Sequence, residues 1–124
     1  MKEIIDDFIN NLKTEIPGFV AVSITDVESG EAYESYTVES SFDPNIASAY
    51  NLEVVKSKLK AIEALGLKEE IKDITITLTS QVHIINIAPS GAYFIYLAVS
   101  SKGANLGIIK ALLNKYKTDL NKAL

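Results

Sequence analysis

Residues 74–100 read ITITLTSQVHIINIAPSGAYFIYLAVS, the strongest structural signal in the chain. Three apolar runs, Ile74–Thr79, Val82–Ala88 and Ala92–Ser100, are parted only by Ser80-Gln81 and by a turn around Ser90-Gly91. β-Branched and aromatic residues fit a pleated surface, which makes each run a strand. Connections this short cannot carry a crossover, so the three strands form an antiparallel meander.

Working outward, Ser101-Lys102-Gly103-Ala104 makes a loop, and Asn105 is placed to cap a last helix. That helix carries Leu106, Ile109, Leu113, Tyr116 and Leu120 on one face. Upstream of the meander, Asp43-Pro44 opens a long helix that runs to Leu65, where Gly66 ends it. Before it, Phe19–Thr25 and Ala32–Val38 flank Glu28-Ser29-Gly30 and read as a hairpin. Strict alternation puts Val20, Val22 and Ile24 on one side of the first of these strands, and Phe19, Ala21 and Ser23 on the other. The chain begins with an amphipathic helix of Ile4, Ile5, Phe8, Ile9, Leu12 and Ile16, stopped by Pro17-Gly18.

The element order is therefore αββαβββα. The middle helix returns the chain across the sheet, so the third strand runs in the same sense as the second. The meander then makes the fifth strand antiparallel to the first. Those two are apolar on both faces and belong side by side at the centre. The expectation is an α/β (α+β) sandwich on a five-stranded antiparallel sheet of order 2-1-5-4-3. The long helix covers one face and the terminal helices the other.

At 124 residues, with 48% hydrophobic and 23% charged residues, the chain suits one globular domain spanning 1–124. There is no cysteine, which excludes disulfides and thiolate metal sites. The formal charge is −4 and all 12 basic residues are lysine. This balance argues against nucleic-acid binding and removes any arginine finger. No run of about 18 apolar residues occurs, and Met1-Lys2-Glu3 leads into an acidic segment. A cytoplasmic domain without membrane contact, metal or cofactor is expected.

The middle helix carries one apolar stripe too many. Leu52, Val55, Leu59 and Ile62 suffice to seat it on a sheet. Roughly opposite stand Ala47, Tyr50, Val54, Ala61, Ala64 and Leu65, with Ser57 among them, at the three-four spacing of a helix-packing seam. The third strand, at the sheet's far edge, has no charge or proline from Ile74 through Thr79. Such an edge invites pairing. Two copies joining third strands and middle helices would cover both features, with Ala47, Tyr50, Val54, Ser57, Ala61, Ala64, Thr75 and Thr77 at the interface. Glu53, Lys56, Lys60 and Glu63 occupy the flank.

Other candidate sites dissolve on inspection. His83 titrates near neutrality, but no nucleophile motif accompanies it, and it reads as a histidine packed beneath a helix or facing solvent. Gly103 and Gly107 beside Lys102 lack the Walker spacing, since Ile108-Ile109 follow the second glycine. Asp6-Asp7 and Glu69-Glu70 are neighbours whose side chains diverge on a helix. Tyr93 and Tyr96 fall on opposite faces of one strand and read as core. No catalytic residues are assigned.

With these elements in place, the run Gly103-Ala104-Asn105-Leu106-Gly107-Ile108-Ile109-Lys110, following a hydrophobic strand, resembles the Roadblock/dynein light chain family, whose prokaryotic members often carry an Ala-Asn-Leu-Gly-Leu-type run there. The resemblance spans nearly the whole chain and implies an αββαβββα sandwich that dimerises through the third strand and middle helix. It also implies non-catalytic regulation or scaffolding of a small Ras-like GTPase, bound across the paired middle helices. On this chain that surface would comprise Ile46, Glu53, Lys56, Lys60 and Glu63, with Tyr50 as a further apolar anchor. Bacterial members activate GTPases by repositioning the GTPase's own residues, which an arginine-free chain permits. The alternative is a stand-alone structural or signalling dimer without a GTPase partner. A small-molecule sensor is disfavoured because no polar cluster within an apolar pocket is legible.

Overall fold

A computed structural model describes residues 1–124. The elements are α1 (Lys2–Glu15), β1 (Phe19–Asp26), β2 (Ala32–Thr37), α2 (Pro44–Ala64), β3 (Asp73–Thr77), β4 (Gln81–Ile87), β5 (Tyr93–Ser100) and α3 (Leu106–Ala123). They form one sheet of order β2-β1-β5-β4-β3 in which every pair is antiparallel. The expected topology is the observed one.

Local chemistry sets the boundaries. Asp43 caps α2 by accepting from the backbone N–H groups of Asn45 and Ile46, and Asn105 caps α3 by accepting from Ile108. Gly66 adopts φ +67° just beyond α2, a conformation that costs a residue with a Cβ. Asp26 closes the β1–β2 turn by accepting from the Ser29 N–H at 2.8 Å. That bond holds its carboxyl below the usual aspartate range.

The sheet separates two cores of unequal size. Eighteen buried residues pack α1 and α3 onto one face, among them Phe8, Leu12, Ile95, Leu97, Ile109 and Leu113. Only nine lie beneath α2, including Leu52, Val55, Ile85, Phe94 and Tyr96. The α2 layer is therefore the less deeply seated of the two.

Two expectations are corrected here. The register of β1 against β5 shifts between Phe19 and Ala21, which makes Val20 the extra residue of a β-bulge. Val20 and Ala21 consequently both face α2, while Phe19, Val22 and Ile24 face α1 and α3. Strict alternation would have grouped Val20 with Val22. Ile4, expected on the buried face of α1, is 37% exposed near that helix's open end.

Candidate functional site

The outward face of α2 is uncovered. Tyr50 is 74% exposed and Ile46 59%. Ser57, Ala61 and Ala64 are exposed along the same side, and Leu65 extends the strip past the helix end. Val54 is half-buried on its margin. Ala47 is the exception, because it packs against the core beneath the helix. Glu53, Lys60 and Glu63 are exposed, Lys56 is partly buried, and none of the four is in an ion pair; the chain's one ion pair is Lys110–Asp73 at 3.1 Å.

The inward face of α2 contains polar groups that periodicity did not flag. Ser48 and Asn51 are buried there beside Leu52 and Val55. The Ser48 hydroxyl is hydrogen-bonded to that of Thr25 on β1. Ser23, fully buried two residues earlier on β1, has a hydroxyl with no partner. Serine, threonine and asparagine in a helix or strand look solvent-facing in a sequence, so only the packing reveals this hydroxyl-rich seat.

The two edges of the sheet differ in a way that decides which can accept another strand. In an antiparallel ladder, alternate residues of an edge strand turn their backbone groups outward. Val38 donates to Val20, so Ser35 and Thr37 are the outward residues of β2. Glu34 folds its carboxylate back onto the Ser35 N–H at 3.1 Å, placing a negative charge over that edge. On β3, Leu78 donates to Gln81 at the hairpin end, so Thr75 and Thr77 point their N–H and C=O groups away from β4. No other backbone group of the chain bonds to them. Their only local guard is Asp73, whose carboxylate accepts from the Thr75 hydroxyl at 3.2 Å. The strand is shorter than expected: it starts at Asp73 and ends at Thr77, while Leu78 and Thr79 enter the turn.

Thr75 and Thr77 thus share the open edge, and Tyr50, Ser57, Ala61 and Ala64 share the open helix face. Ile74 and Ile76, on the α2 side of β3, are only half-buried against the smaller core and leave apolar surface beside that edge.

His83 is half-buried on β4 next to β3, opposite Ile76. Its Nε2 lies 2.8 Å from Gln81 Oε1 and its Nδ1 3.2 Å from the Tyr96 hydroxyl. A neutral imidazole satisfies both, with Nε2–H donating to the carbonyl oxygen and Nδ1 accepting from the phenol. Phe42 meets the His83 ring edge-on and stacks on Tyr96. Burial lowers the His83 pKa and raises that of Tyr96. Neither Gln81, Tyr96 nor Phe42 supplies a nucleophile–base pair with it. No three His, Asp or Glu side chains gather in a way that would hold a metal ion, and no helix is long and apolar enough to cross a membrane.

No protein-family model matches the chain, and no curated protein matches it by sequence. Its fold does match solved structures. A Roadblock/LC7 domain from Streptomyces avermitilis superposes with a TM-score of 0.81 at 11% identity, over 95% of this chain and 95% of that one. Myxococcus xanthus MglB gives 0.78 at 13% identity, covering 98% and 91% respectively. An MglB solved in a tetrameric arrangement gives 0.76 at 11%, covering 98% and 87%. Near-complete coverage in both directions at these scores means that the whole αββαβββα arrangement, and not one motif of it, is common to all. The chain has the fold of the Roadblock/LC7 and MglB structures.

Proposed function

We propose that the chain is a single-domain, cytoplasmic and non-catalytic homodimer that regulates or scaffolds a small Ras-like GTPase. The observation that carries this reading is the pairing of an open β3 edge with an uncovered small-residue face on α2. One two-fold operation covers both, joining Thr75 and Thr77 to their copies and packing Tyr50, Val54, Ser57, Ala61 and Ala64 across a helix seam. The surface area supports it: the isolated chain exposes 7158 Å², against about 6,500 Å² for a folded monomer of its mass. Likeness to MglB structures, one of them in a tetrameric arrangement, supports self-association and the GTPase partner by analogy of fold.

The partner surface is the layer of paired α2 helices. Exposed Ile46 and Tyr50 supply apolar anchors at the helix start, and Glu53, Lys56, Lys60 and Glu63 supply a polar rim. The test is calorimetric titration with a small Ras-like GTPase loaded with a non-hydrolysable GTP analogue. The expected result is binding by the dimer, weakened about tenfold or more when Lys56→Glu and Lys60→Glu are combined. Light scattering on the same double variant should still report a dimer. Unchanged affinity would move the partner to the α1/α3 face, and no binding at all would leave a stand-alone dimer.

A further inference from the structure

We propose that the cleft between the start of β3, the end of β4 and α3 binds a small carboxylate. The site stands whether or not the chain meets a GTPase. Its centre is Asn86, which interrupts the apolar α3-side face of β4 between Ile84 and Ala88 and is only 5% exposed. A buried amide is costly unless its hydrogen bonds are made. Asn86 Nδ2 donates to Asn114 Oδ1 at 3.3 Å, and Asn86 Oδ1 accepts from Lys117 Nζ at 2.7 Å.

Lys117 is the unusual member. It is partly buried, and no carboxylate lies within ion-pair distance of it; the chain's one ion pair is Lys110–Asp73. An ammonium tied only to a neutral amide has lost part of its hydration without gaining a contacting counter-charge. Desolvation accordingly lowers its pKa, opposed by the more distant charge of Asp73. Two of its three N–H groups make no bond within the chain. The Asn114 side chain is exposed, and its amide nitrogen makes no bond within the chain.

These groups line one cleft of about 340 Å³, together with Lys72, Glu70 and Pro89. That volume is in the range of small-molecule sites. A carboxylate has two acceptor oxygens, which suit one ammonium and one amide donor side by side. Glu70 and Asp73 balance Lys72 and Lys117 in the lining, so the cleft has no surplus positive charge to hold a phosphate dianion, which favours a singly charged group.

The experiment is titration of ¹⁵N-labelled protein at constant ionic strength and near-neutral pH with sodium acetate, sodium propionate and inorganic phosphate. The side-chain amide signals of Asn86 and Asn114 are the readout. Saturable shifts with acetate or propionate, and no more than a sodium chloride control with phosphate, are expected. Lys117→Met should weaken the response at least about tenfold, the loss of one charge-assisted hydrogen bond. Should that variant fail to fold, Asn114→Ala at an exposed position decides, with a several-fold weakening expected. No saturable shift with either carboxylate, an undiminished response in the variants, or an equal response to phosphate overturns the proposal. Trialanine with a free or an amidated C-terminus completes the series. A response to the free terminus alone, with acetate and propionate silent, overturns the small-molecule assignment in favour of a chain end.

Discussion

His83 illustrates how one side chain couples packing to pH. Its ring is held neutral between an amide oxygen and a phenol, and burial depresses its pKa below the ordinary value of 6.5. In the unfolded chain it takes up a proton as pH falls through about 6.5, whereas the folded chain resists until lower pH. The unfolded state then binds more protons, so stability is unaffected well above neutrality and falls as the solution is acidified below about 6.5. The loss levels off once the folded histidine is also protonated. His83→Gln should flatten that part of the profile, as measured by urea midpoints of both proteins between about pH 7.5 and about pH 5. Parallel profiles for the two proteins would show that His83 contributes nothing to acid sensitivity. Tyr93, whose pKa burial pushes up to about 12, stays un-ionised throughout this window, so the comparison isolates the histidine.

Among the elements, the turn joining α1 to β1 is tightly specified. Gly18 has φ +73°, and its carbonyl accepts from the Ser100 N–H at 2.8 Å. A Cβ at this position would come within 3.3 Å of the Ser100 carbonyl oxygen, which is backbone and cannot swing away. Gly91, at φ +74° in the β4–β5 turn, has open space where a Cβ would go. Gly91→Ala should therefore cost only the left-handed penalty of about 1–2 kcal/mol. Gly18→Ala should cost more, because the crowding adds to the same penalty, and chemical denaturation of the two variants measures the difference. Equal losses would mean that β1 and β5 shift apart freely at that end. The middle helix is the converse case, an element whose own periodicity was ambiguous. Apolar residues lie on both of its sides, and part of its true underside is Ser48 and Asn51. A pattern that depends on apolar against polar faces is blind to such an arrangement.

For the whole molecule, the open question is which surfaces meet another chain. In the isolated fold Ala61 is exposed and Val54 half-buried, so neither anchors the core. Ala61→Glu should leave the fold of one chain intact while burying an unpaired charge at the helix seam, at a cost of several kcal/mol to association. Sedimentation should report a dimer for the unmodified protein at micromolar concentration and a monomer for Ala61→Glu, with unchanged far-ultraviolet dichroism. Val54→Glu should behave alike, with some loss of monomer stability from its half-buried position. A monomeric unmodified protein would remove the basis for the dimer.

The amino-acid sequence by itself determined the element order, both helix caps and the strand order. These depend on short-range chemistry: turn residues, capping side chains, connection lengths and the apolar character of β1 and β5 on both faces. It also singled out the outer stripe of α2 and the uncharged run at β3. Tertiary structure alone decided the bulge at Val20, because a bulge arises from the register of two distant strands and leaves no local mark. It alone turned Ala47 inward, since the tilt of a helix on a twisted sheet selects which side of an ambiguous stripe is covered. The cluster of Asn86, Asn114 and Lys117 was likewise decided there. Asn86 is legible only as one polar residue in an apolar strand, and its partners lie about thirty residues away on a helix that packing brings over it.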